Sequence, residues 1–116
     1  MGGNVAFDKW LNDDGSENFK CRAWVNFDGT GTVAIRGSGN VSSITDNGVG
    51  DYTVNFIEAM PDADYSMTGA SDDVRENISV LTPLTSSIRI TNGKIDYTSG
   101  GGVFIDCALA CISIHR

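Results

Sequence analysis

The chain has little of what enzymes, nucleic-acid binders and membrane proteins are usually built from. Histidine occurs once, at position 115, and proline twice, at 61 and 83. Eight basic residues stand against fifteen acidic ones, a formal charge of −7. No Lys/Arg cluster offsets that balance, so phosphate backbones are repelled and nucleic acid is excluded as a partner. No apolar run reaches the length of a membrane span, and residues 1–20 lack the pattern of a signal peptide. Gly2 invites an N-myristoylation reading, but that pattern wants Ser or Thr at the sixth position, where Ala6 stands. No stretch sustains a helical apolar period, which removes the all-helical classes.

Cysteine is scarce too. Cys21, Cys107 and Cys111 are an odd number in a chain without a secretion signal, so free, buried thiols kept in a reducing cytosol are expected. Along one strand, Cys107 and Cys111 would lie ~13 Å apart, too far to bridge. A pairing of Cys21 with either stays open.

What the chain does have is glycine, Thr, Ser and Asn between short apolar alternations. Fourteen glycines punctuate 116 residues, and 41% of the chain is hydrophobic, enough to fold as one domain. Cys21, Ala23, Val25 and Phe27 alternate with Arg22, Trp24 and Asn26, while Tyr52, Val54 and Phe56, and Ile88 and Ile90, alternate with polar residues. Turns are expected at Asp28-Gly29, at residues 37–40, and at Asn47-Gly48 and Asn92-Gly93, where Asn-Gly accepts the positive φ of a tight hairpin. Residues 99–102 read as a flexible loop. The expectation is all-β: a compact antiparallel β-sandwich or jelly roll over residues 20–116, behind a short N-terminal arm at 1–19. In the arm, the spacing of Phe7, Trp10 and Leu11 fits one helical turn.

Residues 103–114 read as a single strand that is apolar on both faces. Val103, Ile105, Cys107, Leu109 and Cys111 would occupy one face; Phe104, Ala108, Ala110, Ile112 and Ile114 would occupy the other. A sandwich of this size has one core, so the second face, with Trp24, is expected to form a partner surface. Asp106 within that strand would need a partner such as Arg22, Arg36 or Arg89.

Catalytic and metal chemistry find no purchase. His115 cannot reach Cys111 four residues away on one strand, and a general base must lie within ~3 Å of its nucleophile. The acids at Asp13, Asp14 and Glu17 fail the EF-hand spacing, because Trp10 and Cys21 fall where carboxylates are required. No cofactor, catalytic residue or metal ligand is expected.

The segment CRAWVNFDGTGTVAIRGSGNVSSITDNGVGDYTVNF at 21–56, followed by AMPDADY at 59–65, resembles a domain of tailed-bacteriophage tail fibres and other virion structural proteins. CISIHR at 111–116 is similar to that family's terminal strand. The resemblance implies a C-terminal, distal domain, either a fragment or a short separate product. It implies a non-enzymatic homotrimeric fibre tip that sits among other tail proteins and touches a host-surface glycan or protein. Such a protein would be made in the bacterial host cytoplasm. A head-decoration or fibre-assembly part without receptor binding, and a glycan-depolymerising tip, are the rival readings. Recognition is expected at Asp62, Asp64, Asp72, Asp73, Arg75, Asn92, Lys94 and Tyr97, of which all but Asp62 and Asp64 lie where the resemblance lapses. Short polar side chains beside an aromatic suit sugar hydroxyls and a sugar's apolar face. The trimer interface is expected at Trp24, Phe104, Ala108, Ala110, Ile112 and Ile114.

Overall fold

Alternation of apolar and polar residues converts into strands along almost the whole chain. The computed structural model describes residues 5–6, 9–18, 20–73, 75–96 and 101–116, and among them there is no helix. In the arm, β1 (Val5–Ala6), β2 (Lys9–Leu11) and β3 (Glu17–Asn18) form a small antiparallel sheet of their own. Residues 9–11 therefore form a strand, not the expected helical turn. Pairing on both sides gives that strand's backbone groups partners that a single turn cannot supply. The acids that looked like a calcium loop make the β2–β3 turn instead: Asp14 Oδ1 accepts from the Ser16 N–H, and Gly15 takes a φ of 89°.

Two larger antiparallel sheets pack face to face as a β-sandwich. One has the order β5 (Ala34–Gly39), β4 (Cys21–Asp28), β12 (Ala110–His115), β8 (Ser66–Ser71). The other runs β6 (Val41–Gly48), β7 (Asp51–Phe56), β10 (Ser87–Asp96), with β9 (Glu76–Pro83) along the far side of β10. The ten-residue β10 outlasts β7, and β11 (Gly101–Phe104) takes over pairing where β7 stops. Residues 101–102 are thus strand, where a flexible loop was expected.

The core lies between the sheets. Ala23, Val25 and Phe27 from β4 and Ala110, Ile112 and Ile114 from β12 meet Tyr52, Val54 and Phe56 from β7 and Ile88 and Ile90 from β10. Phe27 and Tyr52 pack edge to face with ring centroids 5.2 Å apart, and each buried side chain of this size contributes about 2–3 kcal/mol.

This packing corrects the reading of residues 103–114. They are two strands in different sheets, joined by a connector at 105–109. Ala110, Ile112 and Ile114 are 1%, 4% and 0% exposed in the core, so they offer no surface to a partner. Phe104, Ala108 and Trp24 do remain exposed. Crossing between sheets lets one run of apolar residues serve both layers, and it buries the inward side of residues 110–114 in the one core.

Both Asn-Gly expectations are corrected as well. The β6–β7 turn lies two residues later, at Val49-Gly50, with Gly48 opposite Asp51 and Gly50 at φ 63°. That register sets Ile44 opposite Val54. A turn at Asn47-Gly48 would have set Ile44 against Asp51, and register follows the burial of apolar pairs. Asn92-Gly93 is not a turn at all but the middle of β10. At the third polar corner, between β5 and β6, Asn40 takes φ 57° and holds the chain there. Its amide donates to the carbonyls of Arg22 and Glu58, and its oxygen accepts from the Glu58 N–H at 2.7 Å.

Candidate functional site

The outer face of β9, β10 and β11 forms an open groove of about 620 Å³. Its floor follows from cross-strand register. Ser79 stands opposite Thr91, Asn77 opposite Gly93, and Gly93 opposite Phe104. A Cβ at Gly93 would stand 3.1 Å from the Val103 carbonyl oxygen and 3.6 Å from Phe104 Cδ1. A side chain there would be tight against that carbonyl and in ordinary contact with the Phe104 ring, which remains 60% exposed. Arg75 closes one end of the groove.

Electrostatics at that end are organised by Asp73. Its carboxylate accepts from Arg75 Nε at 3.2 Å and Nη2 at 2.9 Å, and from the Arg75 backbone N–H at 2.9 Å. These bonds, with the charges of Arg75 and Lys94, hold the carboxyl down at about 2. The guanidinium is thereby fixed as a planar donor beside the groove. Asn77 Nδ2 donates to Ser79 Oγ at 3.0 Å, so the amide and hydroxyl along the floor are ordered relative to each other.

The expected recognition residues separate into groups. Arg75 and Lys94 line the groove and Asp73 positions Arg75. Asp72 is exposed next to them in the sequence. By register Lys94 and its cross-strand partner Glu76 share the side of Asn92, not the side of Gly93, so they border the groove at its end. Asp62 and Asp64 lie before β8, while Asp72 and Asp73 lie after it, which places the two acid pairs at opposite ends of that strand. Asp62 receives a two-pronged bond from Arg116, Nε at 3.0 Å and Nη2 at 2.8 Å, and its carboxyl is lowered to about 2 as a result. Tyr97 lies outside the described residues.

Asn92 is buried at 1% exposure and plays a different part from the one expected. It splices the sheet between the start of β7 and the end of β11. Its N–H donates to the Gly50 carbonyl at 2.8 Å, and its carbonyl accepts from the Ile105 N–H at 3.1 Å. Its side-chain amide donates to the Ile105 carbonyl and to Glu76 Oε1, while Oδ1 is buried without a protein partner. Asp106 joins the same junction. Its carboxylate accepts from the Gly50 N–H at 2.8 Å and lies 2.8 Å from the Tyr52 hydroxyl, which also sits 3.0 Å from the Gly29 carbonyl. Burial, then the hydrogen bond to Asp106, pushes the Tyr52 phenol far up.

The arginines expected to pair with Asp106 are engaged elsewhere. Arg89 holds Asp51, Arg36 reaches Asn26 and the Ala108 carbonyl, and Arg22 reaches the Arg116 carbonyl. A tyrosine hydroxyl and a backbone N–H satisfy the carboxylate instead.

All three cysteines are free thiols, but only Cys107 is buried; Cys21 is exposed and Cys111 half-buried. Burial, together with the charges of Glu76, Asp72 and Asp106, pushes the Cys107 thiol up to about 11, which leaves it a poor nucleophile. His115 stands across the ladder from Cys21 in β12–β4 pairing. No group of three metal-ligating side chains occurs among the described residues.

Sequence reasoning missed Phe104 as a binding aromatic, along with Asn77 and Ser79. The sign was present in a weak form: a glycine in a strand marks close approach of another group, and Gly93 had been spent on a turn. Comparison with protein-family models, with curated proteins and with solved structures gives no match.

Proposed function

We propose that this chain is a non-enzymatic recognition domain at the tip of a tail fibre, assembled as a homotrimer, which attaches a virion to a glycan on the host surface. The observation that carries the recognition reading is the groove over Gly93. It sets an exposed ring beside ordered amide, hydroxyl and guanidinium groups. Sugars offer an apolar C–H face to stack and hydroxyls that need directed partners, and this combination supplies both. The assignment to a fibre rests on the resemblance at 21–56, 59–65 and 111–116.

Binding is favoured over cleavage because glycoside hydrolysis uses two carboxyl groups, about 5–9.5 Å apart, flanking the scissile bond. Among the described residues that line the groove, Glu76 is the one carboxylate, and it already accepts from Asn92. Trimer formation is supported by the edge of β9, where Val80, Leu81 and neighbouring Leu84 are 43%, 52% and 51% exposed. An apolar sheet edge is a surface that a neighbouring copy would cover. Three weak sites on one particle then act together.

The test is adsorption of fluorescently labelled protein to bacterial cells, beside light scattering for mass. Phe104→Ala and Asn77→Ala should each weaken adsorption about tenfold or more, with mass and melting temperature unchanged. Adsorption unaffected by both changes would remove the groove from the proposal. A trimer that adsorbs to no cell would favour a virion structural part, and release of oligosaccharide from a surface polysaccharide would favour the enzyme.

A further inference from the structure

The opposite outer face of the sandwich carries a second aromatic seat. Trp24 projects outward from β4, and its indole spans two glycines of the neighbouring strand β5. A Cβ on Gly37 would come within 3.3 Å of Cη2, and one on Gly39 would collide with Nε1 and Cδ1. The indole is thus held along the sheet by contact at both of its ends, while 46% of the residue stays exposed. Two glycines in one strand weaken that strand, so the seat is maintained against local propensity.

On the other side of Trp24 lies a trough of about 450 Å³, within the size range of small-ligand sites. Register defines it. Ser113 stands opposite Trp24, and Thr68 stands opposite Ser113. One step along, Cys111 lies between Asn26 and Ala70. The Thr68 and Ser113 hydroxyls are 2.7 Å apart, so one proton is used between them and the other is left to donate outward. Asn26 accepts from Arg36 Nη1 through Oδ1, which turns its Nδ2 outward as a donor. No charged side chain is among those that line the trough.

We propose that this trough is a second saccharide site, one that takes a neutral sugar ring stacked on Trp24 with its hydroxyls bonded to Ser113, Thr68 and Asn26. A rigid plate, small side chains on the floor and neutral donors in one row match an uncharged pyranose. The nearest cation, Arg36, is already engaged by Asn26, the Ala108 carbonyl and Asp28, so an anionic sugar would find no free cation in the lining. The site is independent of the groove over Gly93, which lies on the other sheet and has Arg75 at its end.

The experiment uses the whole chain and three neutral tetrasaccharides: maltotetraose, mannotetraose and chitotetraose. Tryptophan fluorescence and the indole N–H resonance of Trp24 report binding, and the backbone amide shifts of Thr68 and Ala70 report it in variants that lack the indole. At least one sugar should shift that resonance at millimolar concentration, and Trp24→Ala should weaken its binding about tenfold or more. Ser113→Lys leaves Gly37 and Gly39 beneath the indole and fills the trough with a charged chain, so it should weaken binding equally while the melting temperature stays within about 2 °C. Phe104→Ala should have no effect. Silence of the Trp24 resonance with all three sugars overturns the site, as does binding that survives both changes in the trough. A Trp24 resonance that moves with protein concentration and no sugar assigns the face to a second copy of the chain and equally overturns it.

Discussion

The two Asn-Gly dipeptides have the same local chemistry and opposite fates. Asn47-Gly48 lies exposed at the end of β6, and the turn it was expected to make falls two residues later. Asn47 donates to Thr53 Oγ1 at 2.7 Å across the hairpin. Asn92-Gly93 runs straight through the middle of β10, with Asn92 buried. The difference lies in the neighbours available. At 92 there is β9 on one side, and on the other the start of β7 and the end of β11, so an extended chain satisfies more backbone groups than a turn would. At 47 only β7 competes, and the hairpin slips until Ile44 meets Val54. Turn propensity acts over two residues; ladder pairing and burial act over ten.

The sharpest way to break this contrast is to remove each asparagine. Asn92→Ala should destabilise the protein by about 2–4 kcal/mol in urea unfolding, because it strands the Ile105 carbonyl at a buried junction. Asn47→Ala should cost no more than about 0.5 kcal/mol, as an exposed hydrogen bond is exchanged for water. Equal losses would overturn the assignment of Asn92 as the splice of the sheet. Gly50→Ala should cost about 2–3 kcal/mol. Its φ of 63° is unfavourable for a side chain, and a Cβ would meet the backbone of Asn92 and Ile105. Tyr52→Phe, which removes only the hydroxyl between Asp106 and Gly29, should cost about 1–2 kcal/mol.

Chemistry separates the two sites as well. Deamidation at Asn-Gly proceeds by attack of the glycine nitrogen on the asparagine side-chain carbonyl carbon. Ammonia leaves, a succinimide closes, and water reopens it to aspartate or isoaspartate. Exposed Asn47 should show the one-dalton gain in peptide mapping after incubation at mildly alkaline pH. Asn92, locked in a ladder, should not, and modification at both would show that β10 opens locally.

The smallest effect is acid sensitivity at the Asn47 end. Bonds from Arg89, then from Asn47, lower the Asp51 carboxyl below its ordinary value. A lowered folded-state pKa stabilises the fold above the ordinary carboxylate range, and that contribution is lost as pH falls through the folded value. Asp62 and Asp73, held at about 2, follow the same sign between about pH 4 and pH 2. Arg89→Ala should lower stability slightly near neutrality and leave it unchanged in acid, which flattens part of the acid limb of a stability–pH curve.

Strand positions and inward faces were legible where alternation was clean. Ala23, Val25, Phe27, Tyr52, Val54, Phe56, Ile88 and Ile90 are the core that their spacing implied. Residues 103–114 were misread because a two-faced apolar run looks the same whether one strand faces two partners or two strands face one core. The groove was half legible. Arg75 and Lys94 were flagged by composition, but Phe104 was placed at an interface and Asn77 and Ser79 were passed over. Nothing in their spacing says that β9, β10 and β11 lie side by side.

By itself the sequence determined the all-β class and most of what faces inward, since these follow from period-two alternation and from turn residues a few positions apart. Tertiary structure decided which sheet each strand joins, where the hairpins turn, and which aromatics stay outside. It seated Trp24 on Gly37 and Gly39, laid Phe104 over Gly93, and set a tyrosine against Asp106 where an arginine had been expected. Those outcomes depend on pairs 11 to 54 residues apart, whose energies arise only once the sheets have met.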